Sequence, residues 1–321
     1  MSKIIDRIEK KIGVSGLLSL LAERLTPTDL QSLLLEVYRQ RASKRTPAAV
    51  LADYETNRFV KPSVVSPVVL NEWEAAAFAA LPPAFEAIEL SPVAPLGTSS
   101  VIGSVEQNWA VSTSRNTEVV SDSTNVLALE SALRRRHLLR ENPKSNETIH
   151  LAANHRLLRG QFFGDNPHFF SHFNVFSLCS AGRDQGNLAF EVSTLGLHIR
   201  IYLRALRTFL GELVPLRVAL TDFNTHDRRT RLEDELLAPI RAEFANTTCE
   251  FYDNRTQGRG YYLDLCFKIY AQDVEGNDIE IGDGGVVDWT QKLLSNAKER
   301  LVTSGIAGEG ICMRLARTDS G

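Results

Sequence analysis

The stretch from Gly258 to Trp289, GRGYYLDLCFKIYAQDVEGNDIEIGDGGVVDW, constrains the fold of this chain more than any other. Leu263, Leu265, Phe267 and Ile269 alternate with Asp264, Cys266, Lys268 and Tyr270. Alternate side chains of an extended backbone point to opposite sides, so this run predicts a strand with two different faces. The polar DVEGND reverses the chain and IEI pairs back antiparallel. Trp289, Leu293, Leu294, Ala297 and Leu301 then recur at helical spacing, and SGIAGEG follows. The expected layout is hairpin, glycine turn, helix, glycine-rich strand.

Helical spacing also runs from Ile4 to Ala42, where Thr28 can cap a helix whose Leu30, Leu33, Leu34, Val37 and Tyr38 share a face. Further helical patterns lie in AAVLADYE and NEWEAAAFAAL, the latter broken by Pro82 and Pro83. AFEAIELSPVAPLG and NWAVSTSRNTEVVSD then read as short extended runs, NVLALESALRRRHLLRE as a helix and FFSHFNVFSLCSAG as a buried strand. A long helix in NLAFEVSTLGLHIRIYLRALRTFLGEL, a strand in LRVALTDF and a charged helix in RRTRLEDELLAPIRAEFA complete an α+β pattern. A chain of 321 residues divides on this reading into a helical N-terminal region, 1–55, and a core domain, 56–321.

With 36 basic and 39 acidic residues, the overall charge gives no argument for a nucleic-acid or membrane partner. No run reaches the roughly 20 apolar residues that span a bilayer, and MSKIIDRIEKKIG is charged throughout, so a cytoplasmic protein is expected. Cys179, Cys249, Cys266 and Cys312 lack a paired spacing and are expected to be buried thiols. The histidines have no metal-site spacing. ALRRRHLLR reads as a solvated helix face and SAGRDQG as a polar turn.

Four motifs in order resemble the catalytic core of class II aminoacyl-tRNA synthetases, above all histidyl-tRNA synthetase and its paralogue, the regulatory subunit of ATP phosphoribosyltransferase. Tyr261, Tyr262 and Phe267, followed by Gly284, Gly285 and Asp288, match a Tyr-Tyr strand ending in Phe and then Gly-Gly-x-x-Asp. VVSDSTNVLALE is similar to the acidic-x-Thr segment at a helix start, which implies that Asp122 and Thr124 meet a substrate ammonium; Asp122 or Ser123 can equally be a helix cap. NHRLLRGQFFGDNPHFFSHFNVF resembles the second motif, with Arg159 and Gln161 in the Arg-x-Glu positions and Arg156 as the competing register. On that resemblance Arg159 holds an α-phosphate, Gln161 contacts adenine and Phe170 or Phe173 stacks on it, although such phenylalanines can also be sheet core. GIAGEGICMRLAR is similar to the third motif, which makes Arg314 the candidate for a γ-phosphate.

The resemblance spans roughly residues 88–317 and implies an antiparallel sheet of six or seven strands flanked by helices. It also implies a homodimer formed around IELSPVAPLG, with ATP, Mg²⁺ bridging its phosphates, and an amino acid or related carboxylate in one cleft. Tyr261, Tyr262, Gly284 and Gly285 belong to the substrate side of that cleft. Phe176 and Lys268 stand where histidine-specific enzymes carry glutamate, and Arg255 and Arg259 fall at other spacings than the arginine preceding Tyr-Tyr. The sequence stops a few residues past the third motif, leaving no room for an anticodon-binding domain, which argues against ordinary tRNA charging. Two functions follow: a stand-alone ATP-dependent, adenylate-forming ligase, or a non-catalytic amino-acid-binding regulatory subunit. A weaker third is an accessory factor that binds tRNA or a synthetase, and the N-terminal helices are expected to dock a protein or carrier.

Overall fold

The computed structural model describes residues 2–161, 171–224 and 228–315. Its helices are α1 (Ser2–Ile12), α2 (Leu17–Ser19), α3 (Pro27–Ala42), α4 (Pro47–Thr56), α5 (Pro67–Ala79), α6 (Ser123–Glu141), α7 (Ala189–Leu210), α8 (Arg229–Leu232), α9 (Ala238–Glu243), α10 (Trp289–Leu294) and α11 (Gly308–Arg314). Its strands are β1 (Phe85–Ala87), β2 (Val93–Pro95), β3 (Thr117–Val119), β4 (Ile149–Leu158), β5 (His172–Arg183), β6 (Leu216–Asp222), β7 (Thr247–Phe251), β8 (Leu265–Gln272), β9 (Asp278–Val287) and β10 (Glu299–Ala307).

Eight strands form one sheet in the order β1-β4-β5-β10-β9-β8-β6-β7, while β2 and β3 pair separately. From β4 to β6 every neighbour is antiparallel, and the two outer pairs, β1–β4 and β6–β7, are parallel. The sheet is therefore mostly antiparallel, as expected, but wider than six or seven strands. The extra width comes from the edges: β1 has three residues, too few to show a period. β7 returns through α8 and α9, the kind of crossover that a parallel pair requires.

α5, α7 and α11 cover one face of the sheet, burying Trp73, Leu195, Ile199, Tyr202, Phe176 and Phe267 in the larger core. α6 and α10 cover part of the other face, with Leu127, Cys266, Val287 and Leu301 between them and the strands. β8 is consequently buried on both sides from Leu265 to Ile269, not polar on one of them, and Leu263 and Asp264 lie ahead of it. The helix read through Leu301 ends at Leu294, because Ser295 turns to a left-handed conformation; Leu301 belongs to β10. The glycine pair expected in a turn lies within β9. A Cβ on Gly284 would stand 2.3 Å from the Ser304 Cβ, and one on Gly285 2.5 Å from the Tyr262 ring, so close approach rather than a turn requires them.

No residue from Lys3 to Val69 is buried; the first is Leu70, in α5. α3 starts from Thr26, not Thr28: the Thr26 hydroxyl accepts the Asp29 N–H at 3.1 Å, and Pro27 occupies the first helical position, where its missing N–H costs nothing. Apolar side chains of this region, among them Ile4, Leu18, Val37 and Tyr54, remain exposed. Among the described residues no helix is long and apolar enough to cross a membrane.

Two polar segments and one histidine resolve into structural roles. Arg136, His137 and Arg140 of the ALRRRHLLR run are exposed, but Arg135 is fully buried against Glu299, so the solvated-face reading fails at that position. Asp184 pairs with Arg300 at 3.0 Å and fixes the SAGRDQG turn by accepting the Gly186 N–H. His198 lies on the α7 side of the sheet between the hydroxyls of Ser180 and Ser304, and burial pushes its imidazole down to about 3. All four cysteines are buried free thiols.

Candidate functional site

Asp122 is the N-cap of α6, as its position before a helical run allows, and its two oxygens divide the work. Oδ1 accepts the backbone N–H of Thr124 at 2.9 Å and the Thr124 hydroxyl at 2.7 Å. Oδ2 faces the Arg159 guanidinium at 3.6 Å. Capping and a role in the site are thus compatible, since a carboxylate has lone pairs enough for both.

The tyrosine pair reaches the same place by a tight turn. Gly258 has φ of +84°, and its carbonyl accepts the N–H groups of both Tyr261 and Tyr262. The turn folds the rings onto the sheet, where they meet edge to face with centroids 4.9 Å apart. Tyr262 donates its hydroxyl to Asp283 Oδ2 at 3.0 Å, and Arg255 reaches the same oxygen at 3.5 Å. Burial raises both phenols well above their ordinary range, so they are neutral donors at physiological pH. Burial also raises the Asp283 carboxyl, against the opposing pull of Arg255.

Asp122, Arg159, Gln161, Tyr261 and Tyr262 line one hollow of about 390 Å³ on the α6 side of the sheet. A neighbouring hollow of about 550 Å³ takes in Thr124, Phe173 and Arg314. The two share Asp122, Arg159, Tyr261, Tyr262, Glu280 and Asp283, so they form one continuous site with a polar junction. Arg159 sits at that junction. Its Nε donates to the Ser121 carbonyl at 2.9 Å and its guanidinium lies 5.2 Å from the Phe173 ring centre. Arg156, the competing register, is instead tied to the buried Glu309 at 2.8 Å.

Other sequence candidates lie elsewhere. Gly284 and Gly285 line neither hollow; they make room beneath Phe267 and Tyr262. Asp288 lies at the start of α10 and pairs with Lys292. Phe176 is buried against Phe78 and Tyr202 on the opposite face, so its side chain does not stand where an acidic ligand could reach the hollow. Phe170 lies outside the described residues. Among the described residues, no group of three or more His, Cys, Asp or Glu is placed to hold a metal ion.

Two members of the site, Asp283 and Glu280 of β9, escaped the sequence reading. Lys268 of β8 and Arg255 of the loop before the tyrosines, seen in the sequence only as departures from the family pattern, also line the hollow. A register shift between Ile269 and Tyr270 explains the acidic pair: residues 280 and 283 would face opposite sides of a regular strand, and the bulge brings both to the hollow. Gly285→Ala is expected to push Tyr262 off Asp283 and to cost about 1–3 kcal/mol through overpacking, read as a lower urea midpoint.

The sequence matches no family model and no curated protein. An ATP phosphoribosyltransferase regulatory subunit/histidyl-tRNA synthetase from Bacillus halodurans C superposes with a TM-score of 0.58 at 13% identity, covering 83% of this chain and 84% of that one. The chain has the fold of class II aminoacyl-tRNA synthetases. Apo histidyl-tRNA synthetase from S. aureus shares the class II fold with a TM-score of 0.52 at 10% identity, over 77% of this chain and 70% of its own. The RNA binding domain of threonyl-tRNA synthetase from Cryptosporidium parvum Iowa II gives 0.55 at 11%, over 83% and 71%.

Proposed function

We propose that this chain binds ATP and an α-amino acid or related carboxylate and joins them as an acyl-adenylate, releasing pyrophosphate. One observation carries the reading: the Asp122–Arg159 pair, 3.6 Å apart, lies where a hollow lined by tyrosines meets one lined by Phe173 and Arg314. A zwitterionic substrate and a nucleotide phosphate need that juxtaposition of opposite charges. The ammonium takes Asp122 Oδ2 and Asp283, and the substrate carboxylate attacks the α-phosphorus from the tyrosine side. Negative charge grows on the α-phosphate oxygens as that bond forms, so a guanidinium held in place stabilises the transition state more than the ground state. Phe173 offers a ring face to adenine, Gln161 an amide, and Arg314 a cation for the γ-phosphate. Mg²⁺ would supply charge neutralisation on the phosphates, and the described residues offer it no ligand cage of their own. Two copies are proposed to pair along Ile88–Gly97, beside a groove lined by Leu90, Val126 and Leu133. The exposed apolar side chains of α1 to α4 would dock the acyl acceptor's carrier or a partner protein.

The regulatory reading has one observation in its favour. Arg159 is already engaged by Asp122 and by the Ser121 carbonyl, which fits a cation that orders a binding site without meeting phosphate. Pyrophosphate exchange with each of the twenty amino acids, run beside calorimetry of the same panel, separates the two. ATP-dependent exchange with at least one amino acid is the expected result; binding without exchange under any condition would leave the regulator.

A further inference from the structure

The lining of the smaller hollow carries a concentration of charge that ammonium and phosphate binding do not use. Lys268 is 5% exposed, and its Nζ donates to Glu280 at 2.7 Å and to the side-chain oxygen of Gln257 at 2.8 Å. Arg255 is 4% exposed and donates to the Gln257 and Phe267 carbonyls, at 2.8 and 3.3 Å, besides its long contact with Asp283. An ammonium has three N–H donors and a guanidinium five. One donor on Lys268 and two on Arg255 are left over among the described residues, in side chains that line the hollow.

The balance of charge points the same way. Lys268 stands directly across the β8–β9 ladder from Asp283, yet its ammonium turns to Glu280. Once a substrate ammonium engages Asp122 and Asp283, the rest of the lining presents two buried cations, Arg255 and Lys268, against the single carboxylate of Glu280. Buried charges are costly unless paired, so the arrangement favours a ligand that brings one more negative group there. Glu280, with 46% of its side chain exposed, faces the hollow and can swing aside.

We infer that the substrate is an α-amino acid whose side chain ends in a carboxylate, held by Lys268 and Arg255. This rests on the reading of the hollow as an amino-acid site, but not on adenylation. A site built around hydrogen bonds to one group discriminates strongly against analogues that lack it. Titration calorimetry of the full chain with aspartate, glutamate, asparagine, glutamine, histidine and leucine, without ATP, tests it. Aspartate or glutamate is expected to bind at least about tenfold more tightly than its amide. Lys268→Met should erase that preference, and Glu280→Gln, which removes the competing carboxylate, should strengthen binding of the acidic amino acid. A structural role for the pair would produce no such gain. Equal binding of acid and amide, a preference that survives Lys268→Met, or no binding by any of the six overturns the inference. Exchange driven by a neutral amino acid would overturn it while leaving adenylation standing, whereas selective acid binding without exchange would do the reverse.

Discussion

Arg159→Ala is expected to lower pyrophosphate exchange by about 10²–10³-fold while changing the affinity for the amino acid by less than about threefold. The split follows from where the guanidinium sits. It is fixed by the Ser121 carbonyl and by Asp122 before any substrate arrives, so little reorganisation is needed when charge develops on the α-phosphate. Binding of the ammonium depends instead on Asp122 and Asp283, and removing Arg159 frees Asp122 Oδ2 from its competitor. Arg159→Lys should recover only part of the loss, because an ammonium cannot hold the Ser121 carbonyl and reach a phosphate oxygen with the same planar fork. The checks are exchange kinetics for both variants and calorimetry with the amino acid alone. Equal losses in exchange and in amino-acid affinity would place Arg159 in substrate binding and not in the chemistry; exchange unchanged by Arg159→Ala would remove it from the mechanism altogether.

The parts of this site that a reader of the sequence can find are those whose geometry is local. Asp122 stands immediately before a helical run, so both its cap and its outward oxygen follow from adjacent residues. The tyrosine pair lies between a glycine that can take positive φ and an extended run that does form a strand, although that strand is buried on both faces. Arg159 is one residue past β4 and takes its aim from a carbonyl of the neighbouring segment. Asp283, Glu280 and Arg255 are different. The first two share a face only because a bulge breaks the alternation of β9, which a period-two count along the sequence does not show. Arg255 enters because the Gly258 turn folds back on it, which no spacing rule counts. The same logic applies to the fold. β5, β6 and β8 are legible as apolar runs, whereas the sequence shows no strand pattern where β4 lies, the three-residue β1 owes its place to pairing with β4, and the glycines of β9 owe theirs to Ser304 and Tyr262.

Arg135 and Glu299 make the larger claim on stability. Both side chains are fully buried, and the guanidinium grips the carboxylate with two bonds, Nε to Oε2 at 2.8 Å and Nη2 to Oε1 at 2.9 Å. Two further bonds, to the carbonyls of Glu147 at 2.5 Å and Ser145 at 3.3 Å, tie the connection between α6 and β4 to the first residue of β10. Arg135 thus joins the helix that carries Asp122 to the strand beside β9, far along the chain. Removing one partner leaves the other charged and dry, so Arg135→Met or Glu299→Met alone is expected to cost about 3–5 kcal/mol. The double variant removes both charges and their desolvation penalty, leaving apolar side chains of comparable volume, and should recover more than half of that loss even though two carbonyls lose a donor. Urea unfolding of the three variants measures the coupling, and in thermal unfolding the melting points are expected to move about 1.5 °C per kcal/mol. Losses that simply add in the double variant, or single variants within about 1 kcal/mol of the parent, would mean that the pair is not what holds α6 against β10, and the placement of Asp122 would then have to rest on the apolar contacts of Leu127 and Ala128 and on the Ser123–Ser177 hydrogen bond to β5.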